Sequence, residues 1–152
     1  MSESIEKLPR RDFLLASGGL ALAAGVSAGA AEEGHEHHGG GKFAALAQEA
    51  QHCITTGNAC ISHCIMDMRA GSLELTECLA SVMELVSICT AIAKFAALES
   101  EHVPAVAAVT KAVCISCEEE CRKFADKHEV CADCADACLA CIEECDKVIG
   151  AA

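Results

Sequence analysis

Thirteen cysteines lie in the last hundred residues of this 152-residue chain, and their spacing follows the turn of an α-helix. The last five are separated by 3, 4, 3 and 4 residues, which places all five sulfurs on one helix face. Earlier segments repeat this pattern, and the full set is Cys53, Cys60, Cys64, Cys78, Cys89, Cys114, Cys117, Cys121, Cys131, Cys134, Cys138, Cys141 and Cys145. Because a deprotonated thiol is a soft anionic ligand, these faces indicate a protein that holds many thiophilic metal ions.

The same spacing predicts four helices that position the thiols. The four helical periods begin near Phe43, after Ser72, at Pro104 and near Val130. Ser72 is the predicted N-cap of the second helix, and Pro104 fits the first turn of the third. Short polar or glycine-containing segments separate them, which favours antiparallel neighbours. We therefore predict an all-α fold: an antiparallel four-helix bundle with a Cys-lined core over residues 43–150.

The N-terminus has the features of an export signal. Arg10 and Arg11 precede an apolar run over residues 14–28, and Ala28 and Ala30 form an A-x-A site. The run is shorter than the ~20 residues that a membrane-spanning helix needs. We predict a twin-arginine signal peptide over residues 1–30, removed on export to a periplasmic or other extracytoplasmic site, with a retained anchor as the alternative.

A segment rich in glycine and histidine follows the predicted signal. Residues 31–42 contain His35, His37 and His38 and lack an apolar period. We predict a flexible linker, and its histidines leave two interpretations open, a loose metal-capturing tail and a solvated spacer.

Composition limits the possible partners. The net charge is −12, and the chain has no Trp or Tyr and only four Phe. An acidic chain without aromatic platforms is a poor nucleic-acid binder, and after signal cleavage we expect no membrane contact. The sequence contains no Gly-rich phosphate loop, dinucleotide fingerprint or nucleophile elbow, so we expect no enzymatic activity.

Charge favours monovalent copper over zinc as the stored ion. An all-thiolate zinc site has a net charge of about −2, and several such sites in one apolar core would repel one another. Thirteen thiolates with up to thirteen Cu(I) ions would be neutral. We therefore expect multiple Cu(I) ions per chain.

Other uses of the thiols remain as alternatives. A disulfide framework is disfavoured because the cysteine count is odd and bridges within one helix would be strained. An exported thiol-rich protein for metal detoxification, a scavenger of zinc or cadmium, and a thiol-redox protein all remain open.

The thiol pattern also resembles a known family. The segment Cys60-Ile61-Ser62-His63-Cys64, the cysteines from Cys114 to Cys121, and the final five-cysteine series resemble the exported bacterial copper storage proteins. This resemblance implies high-capacity Cu(I) storage in a homo-oligomer, a homotetramer, from which copper passes to a copper-accepting protein.

The resemblance further implies a His- and Met-containing opening at one end of the bundle. Near the end of the first helix it assigns His63, Met66 and Met68 as metal ligands, and connectivity places His128 and Cys131 at the same end. We assign no specific role to His128, which is predicted to lie in a loop.

Overall fold

A computed structural model of the protein describes residues 40–151, and this part of the chain folds into four α-helices without a β-strand. The helices are α1 (Ala44–Arg69), α2 (Thr76–Ala97), α3 (Val103–Arg122) and α4 (Glu129–Gly150). The all-α four-helix prediction is therefore confirmed. The predicted signal peptide and nearly all of the predicted linker lie outside the described residues.

The helices form an antiparallel square. Each helix packs against two neighbours, in the pairs α1–α2, α2–α3, α3–α4 and α1–α4. The segments that join the helices are short, so successive helices run in opposite directions. Residues spaced by three and four therefore face a common axis on all four helices.

The turn after α1 differs from the sequence prediction. Gly71 has a φ of 94°, a left-handed conformation that glycine adopts without a Cβ penalty, and it closes the end of α1. Ser72 does not cap the next helix, which begins only at Thr76. Instead the Ser72 hydroxyl accepts a hydrogen bond from the Glu74 amide at 3.3 Å. The prediction of Ser72 as an N-cap was wrong because Leu75 must first reach the core, where it is fully buried.

The two ends of the core differ in chemistry. At the end of the bundle where α1 and α3 begin and α2 ends, apolar side chains fill the interior: those of Phe43, Leu46, Ala96, Val103 and Ala107. Toward the opposite end, cysteines take over the inward positions of the helices. The protein thus has a sealed apolar end and a thiol-rich end, which lies beside the α1–α2 and α3–α4 loops.

Helix α2 is also long and apolar enough to cross a membrane, with a mean hydropathy of 1.7 over its most apolar window. A core helix of a bundle meets the same criterion, and α2 contributes Val82, Leu85 and Ile92 to the buried core. Packing within the bundle therefore accounts for these inward apolar residues of α2.

Candidate metal centre

Every cysteine of the chain lies in the interior. All thirteen are free thiols with no exposed surface, and they come from all four helices. The expectation that the helical spacing directs them to one shared core is met. Thiols in place of Leu and Ile at so many inward positions sacrifice apolar packing volume, which indicates that the sulfurs are present for their chemistry.

Seven of the thiols form an outer group near the loops that join α1 to α2 and α3 to α4. They are Cys60, Cys64, Cys78, Cys117, Cys121, Cys131 and Cys134. The Cys60 sulfur lies 3.9 Å from those of both Cys78 and Cys131. The Cys78 sulfur lies 3.6 Å from that of Cys121. These contacts join all four helices at one level of the bundle.

Deeper in the bundle lies an inner group of five thiols. Cys53, Cys89, Cys114 and Cys141, one from each helix, have sulfur atoms that all lie within 4.8 Å of one another. Cys145 lies beyond them and interacts with Cys141. Four sulfurs that converge from four separate helices match the number of ligands in a tetrahedral thiolate metal site.

The sulfur separations suit a bridging metal ion. A disulfide bond requires about 2.05 Å between sulfurs, far less than the separations here. Two metal–sulfur bonds of about 2.3 Å, the length in zinc thiolates, can join sulfurs up to about 4.6 Å apart. The observed separations of 3.6 and 3.9 Å fall within this reach.

Burial and neighbouring thiols shift the thiol pKa values in both directions. Burial, and then the negative charge of Cys60, raises the pKa of both Cys64 and Cys131. Hydrogen bonds from Cys114 and Cys138 lower the pKa of Cys53 to about 5. Hydrogen bonding with Cys114 raises the pKa of Cys89. Thiols with a raised pKa are protonated at neutral pH, so a metal ion that binds them must displace protons.

A pair of histidines lies at the thiol-rich end. The Nε2 atom of His63 is 3.0 Å from Nδ1 of His128, so one ring nitrogen donates a hydrogen bond to the other. Both rings are half-buried. Sequence reasoning missed the role of His128 in this pair, although connectivity had placed it at the same end as His63.

The two methionines assigned to the opening lie in the last turn of α1. Met66 is 67% exposed and Met68 is half-buried. Their role as metal ligands stays a prediction, as does the ligand role of His63 and of each individual thiol.

Comparison with known proteins identifies the family. The family model for copper storage proteins matches residues 40–150, which is most of the chain. The chain belongs to the copper storage protein family. No curated protein sequence matches this copper storage protein significantly.

Solved structures of copper storage proteins share the fold. The protein Ccsp from Streptomyces lividans, loaded with 10 copper equivalents, has a TM-score of 0.66 and 28% identity, over 71% of this chain and 83% of that one. A second Streptomyces lividans structure, described as cytosolic and loaded with five coppers, has the same TM-score and identity over 71% and 92%. Cu(I)-bound BsCsp3 has a TM-score of 0.63 and 26% identity, over 69% and 95%.

Proposed function

We propose that this protein is a non-enzymatic, high-capacity store of Cu(I), held by cysteine thiolates along the core of the bundle. The observation that supports this function best is the fully buried set of thirteen free thiols, with neighbouring sulfurs within the reach of a bridging ion. Family membership and the copper-loaded relatives support the same conclusion.

Charge neutrality explains why the ion is monovalent. A core that the solvent does not reach penalises any net charge strongly. Each Cu(I) that replaces one thiol proton leaves the core charge unchanged, because one positive charge enters as one leaves. Filling can therefore proceed along the whole core without accumulating buried charge, and the protons pass to solvent.

The thiol-rich end is the proposed entry. The opposite end is closed by hydrocarbon side chains such as Phe43, Leu46 and Val103, which offer no ligands to copper. The His63–His128 pair flanks the outer group, and neutral imidazole nitrogens bind copper. Met66 and Met68 lie close by in the chain and add thioether ligands at the surface.

A zinc or cadmium site is the second candidate, and one observation favours it. The tetrad of Cys53, Cys89, Cys114 and Cys141 has the four sulfurs that a structural zinc ion requires. The remaining clusters are triads, which do not complete a closed tetrahedral site without a further ligand. Zinc binding therefore predicts about one ion per chain, whereas Cu(I) storage predicts roughly one ion per thiol.

Export and assembly belong to the same proposal. The paired Arg10 and Arg11 support export by the twin-arginine route after a signal over residues 1–30, although one similar structure is described as cytosolic. The family match begins at residue 40, which supports a separate linker over 31–42 and a storage domain over 43–150.

An apolar groove supports the proposal of a homo-oligomer, which family resemblance makes a tetramer. The groove has a volume of about 520 Å³ and lies between α2 and α3, with Met83, Ile88 and Val113 in its lining. Met83 is 55% exposed, as is the nearby Val109 of α3. Exposed apolar side chains in one patch are typical of an association surface. Light scattering of the mature protein measures the assembly directly, and a monomer would contradict it.

An anaerobic metal titration tests the storage function. Reduced mature protein is titrated with Cu(I) against a chromogenic chelator, and with Zn(II) in a parallel experiment, after a free-thiol count. Uptake of roughly one Cu(I) per cysteine and of about one Zn(II) is the expected result. Saturation at one to three Cu(I) ions would contradict storage and favour discrete sites.

A further inference from the structure

The outer and inner groups are not joined along the wall that α1 and α2 form. On α1, Cys53 and Cys60 are separated by seven residues, a rise of about 10.5 Å. On α2, Cys78 and Cys89 are separated by eleven residues, about 16.5 Å. Both gaps exceed the ~4.6 Å that one bridging ion can span.

Tightly packed hydrocarbon fills these gaps. Gly57 of α1 is buried against α2, and a Cβ added there would lie 2.7 Å from a methyl carbon of Val86 and 3.4 Å from one of Val82. Val82 and Leu85 are themselves fully buried. This part of the wall therefore offers neither a ligand nor space for a copper ion.

On the α3–α4 wall the thiol of Cys138 interacts with both groups. Cys138 interacts with Cys114 and Cys53 of the inner group and with Cys117 and Cys134 of the outer group. The sulfurs of Cys117, Cys134 and Cys138 all lie within 4.8 Å of one another. The thiols that interact most strongly with Cys117 are Cys121, Cys134 and Cys138, and those that interact most strongly with Cys114 are Cys138, Cys141, Cys53 and Cys89. Cys138 is the partner that these two sets share.

We propose that Cys138 is the relay thiol through which Cu(I) passes from the outer group to the inner group. This inference rests on the proposed storage function and on entry at the thiol-rich end. In the first step a Cu–S bond forms to Cys138, the bond from copper to the sulfur of Cys117 or Cys134 breaks, and the Cys138 thiol proton moves to that sulfur. In the second step a Cu–S bond forms to Cys114, the Cu–S bond to Cys138 breaks, and the Cys114 thiol proton moves to the Cys138 sulfur. Copper remains monovalent throughout, and protons travel in the opposite direction.

The relay predicts that removing one thiol slows filling of five others. Reduced Cys138→Ala protein receives Cu(I) from a soluble donor complex, and samples taken over time are treated with a small alkylating reagent. Peptide mass spectrometry then reports which cysteines copper protects. We expect the outer group to be protected as fast as in the wild-type protein, and the five inner thiols, Cys53, Cys89, Cys114, Cys141 and Cys145, to need about tenfold longer or more.

Thr110→Ala is the matched control. It truncates a side chain of similar size to cysteine that is equally buried in the core, but one that carries no thiol and bonds to the Val106 carbonyl of its own helix. We expect all the thiols of this variant to fill at the wild-type rate. If Cys138→Ala also fills its inner group at the wild-type rate, the relay is refuted.

Refolding separates a lost route from a lost site. Cys138→Ala protein that is refolded from denaturant with Cu(I) present bypasses the route, and its inner group should then be protected. An inner group that stays unprotected after refolding would show that Cys138 completes the inner sites, which also overturns the relay. If copper protects neither group in the wild-type protein, the storage function itself fails, and this result is distinct from the other two.

Discussion

Replacing Gly57 by alanine tests the close approach of α1 and α2 that separates the two thiol groups. The new Cβ would lie 2.7 Å from the Val86 methyl carbon, about 0.7 Å inside the 3.4 Å limit of ordinary contact. Overpacking of this kind costs about 1–3 kcal/mol. The higher helix propensity of alanine returns about 1 kcal/mol. We expect a net loss of about 1 kcal/mol, which lowers the melting temperature of the copper-free protein by about 4 °C.

A double-mutant cycle isolates the contact. Val86 is half-buried, and truncating it to alanine removes the methyl carbon that the new Cβ would meet. In the Val86→Ala background, Gly57→Ala should therefore stabilise the protein by about 1 kcal/mol, through helix propensity alone. The coupling between the two sites is then about 2 kcal/mol. Chemical denaturation of the four reduced, copper-free proteins measures it. A stabilising effect of Gly57→Ala in the wild-type background would refute the close approach.

Three further predictions concern copper and protons. Cu(I) should stabilise the fold by about 2.7 kcal/mol for each independent site at a free concentration a hundredfold above its Kd; a melting curve unchanged by copper would contradict this. The copper-free protein should lose stability above pH 9, because unfolded thiols ionise near 9.0 while burial raises the pKa of Cys64 and Cys131. The native state then binds more protons than the unfolded state, so each such thiol lowers the unfolding free energy by about 1.4 kcal/mol per pH unit. Chemical denaturation at a series of pH values from about 8 to 11 measures this loss. An unfolding free energy that does not change with pH in this range would contradict the prediction. His63→Ala should slow initial Cu(I) uptake by about tenfold without changing the final capacity. The control His52→Ala, on the exposed face of α1, should take up Cu(I) at the wild-type rate. Stopped-flow absorbance measures these rates, and equal rates for the two variants would refute entry at the histidine pair.

The sequence was sufficient to predict the bundle and the location of its thiols. A period of three and four residues has one physical consequence on a helix, so the series from Cys131 to Cys145 had to face one direction. Because these cysteines recur on four helices joined by short segments, burial in a common core followed.

The sequence was less informative wherever tertiary packing decides between adjacent positions. On α3, Val106 fits the helical period of the cysteines that follow it, but it is only half-buried, and Val103 and Ala107 occupy the core instead. Both registers fit a helical period, and only contact with the neighbouring helices selects one of them. The same limit explains the incorrect N-cap at Ser72, where the burial of Leu75 overrides a local capping preference.

Long-range contacts were also beyond sequence reasoning. His63 and His128 are 65 residues apart in the chain, and their hydrogen bond depends on how the α3–α4 loop meets the end of α1. The division of the thiols into two groups required knowing which helices lie side by side. In the sequence, Gly57 is one glycine within a helix, and only the structure shows that it brings α1 against Val86.

The most direct test of copper storage is anomalous diffraction at the copper edge from crystals of the fully loaded protein. We predict anomalous peaks beside both the outer and the inner thiols, with the tetrad of Cys53, Cys89, Cys114 and Cys141 occupied. Peaks confined to the His63–His128 pair or to one isolated site, with the inner thiols free of metal, would contradict a core built to store Cu(I).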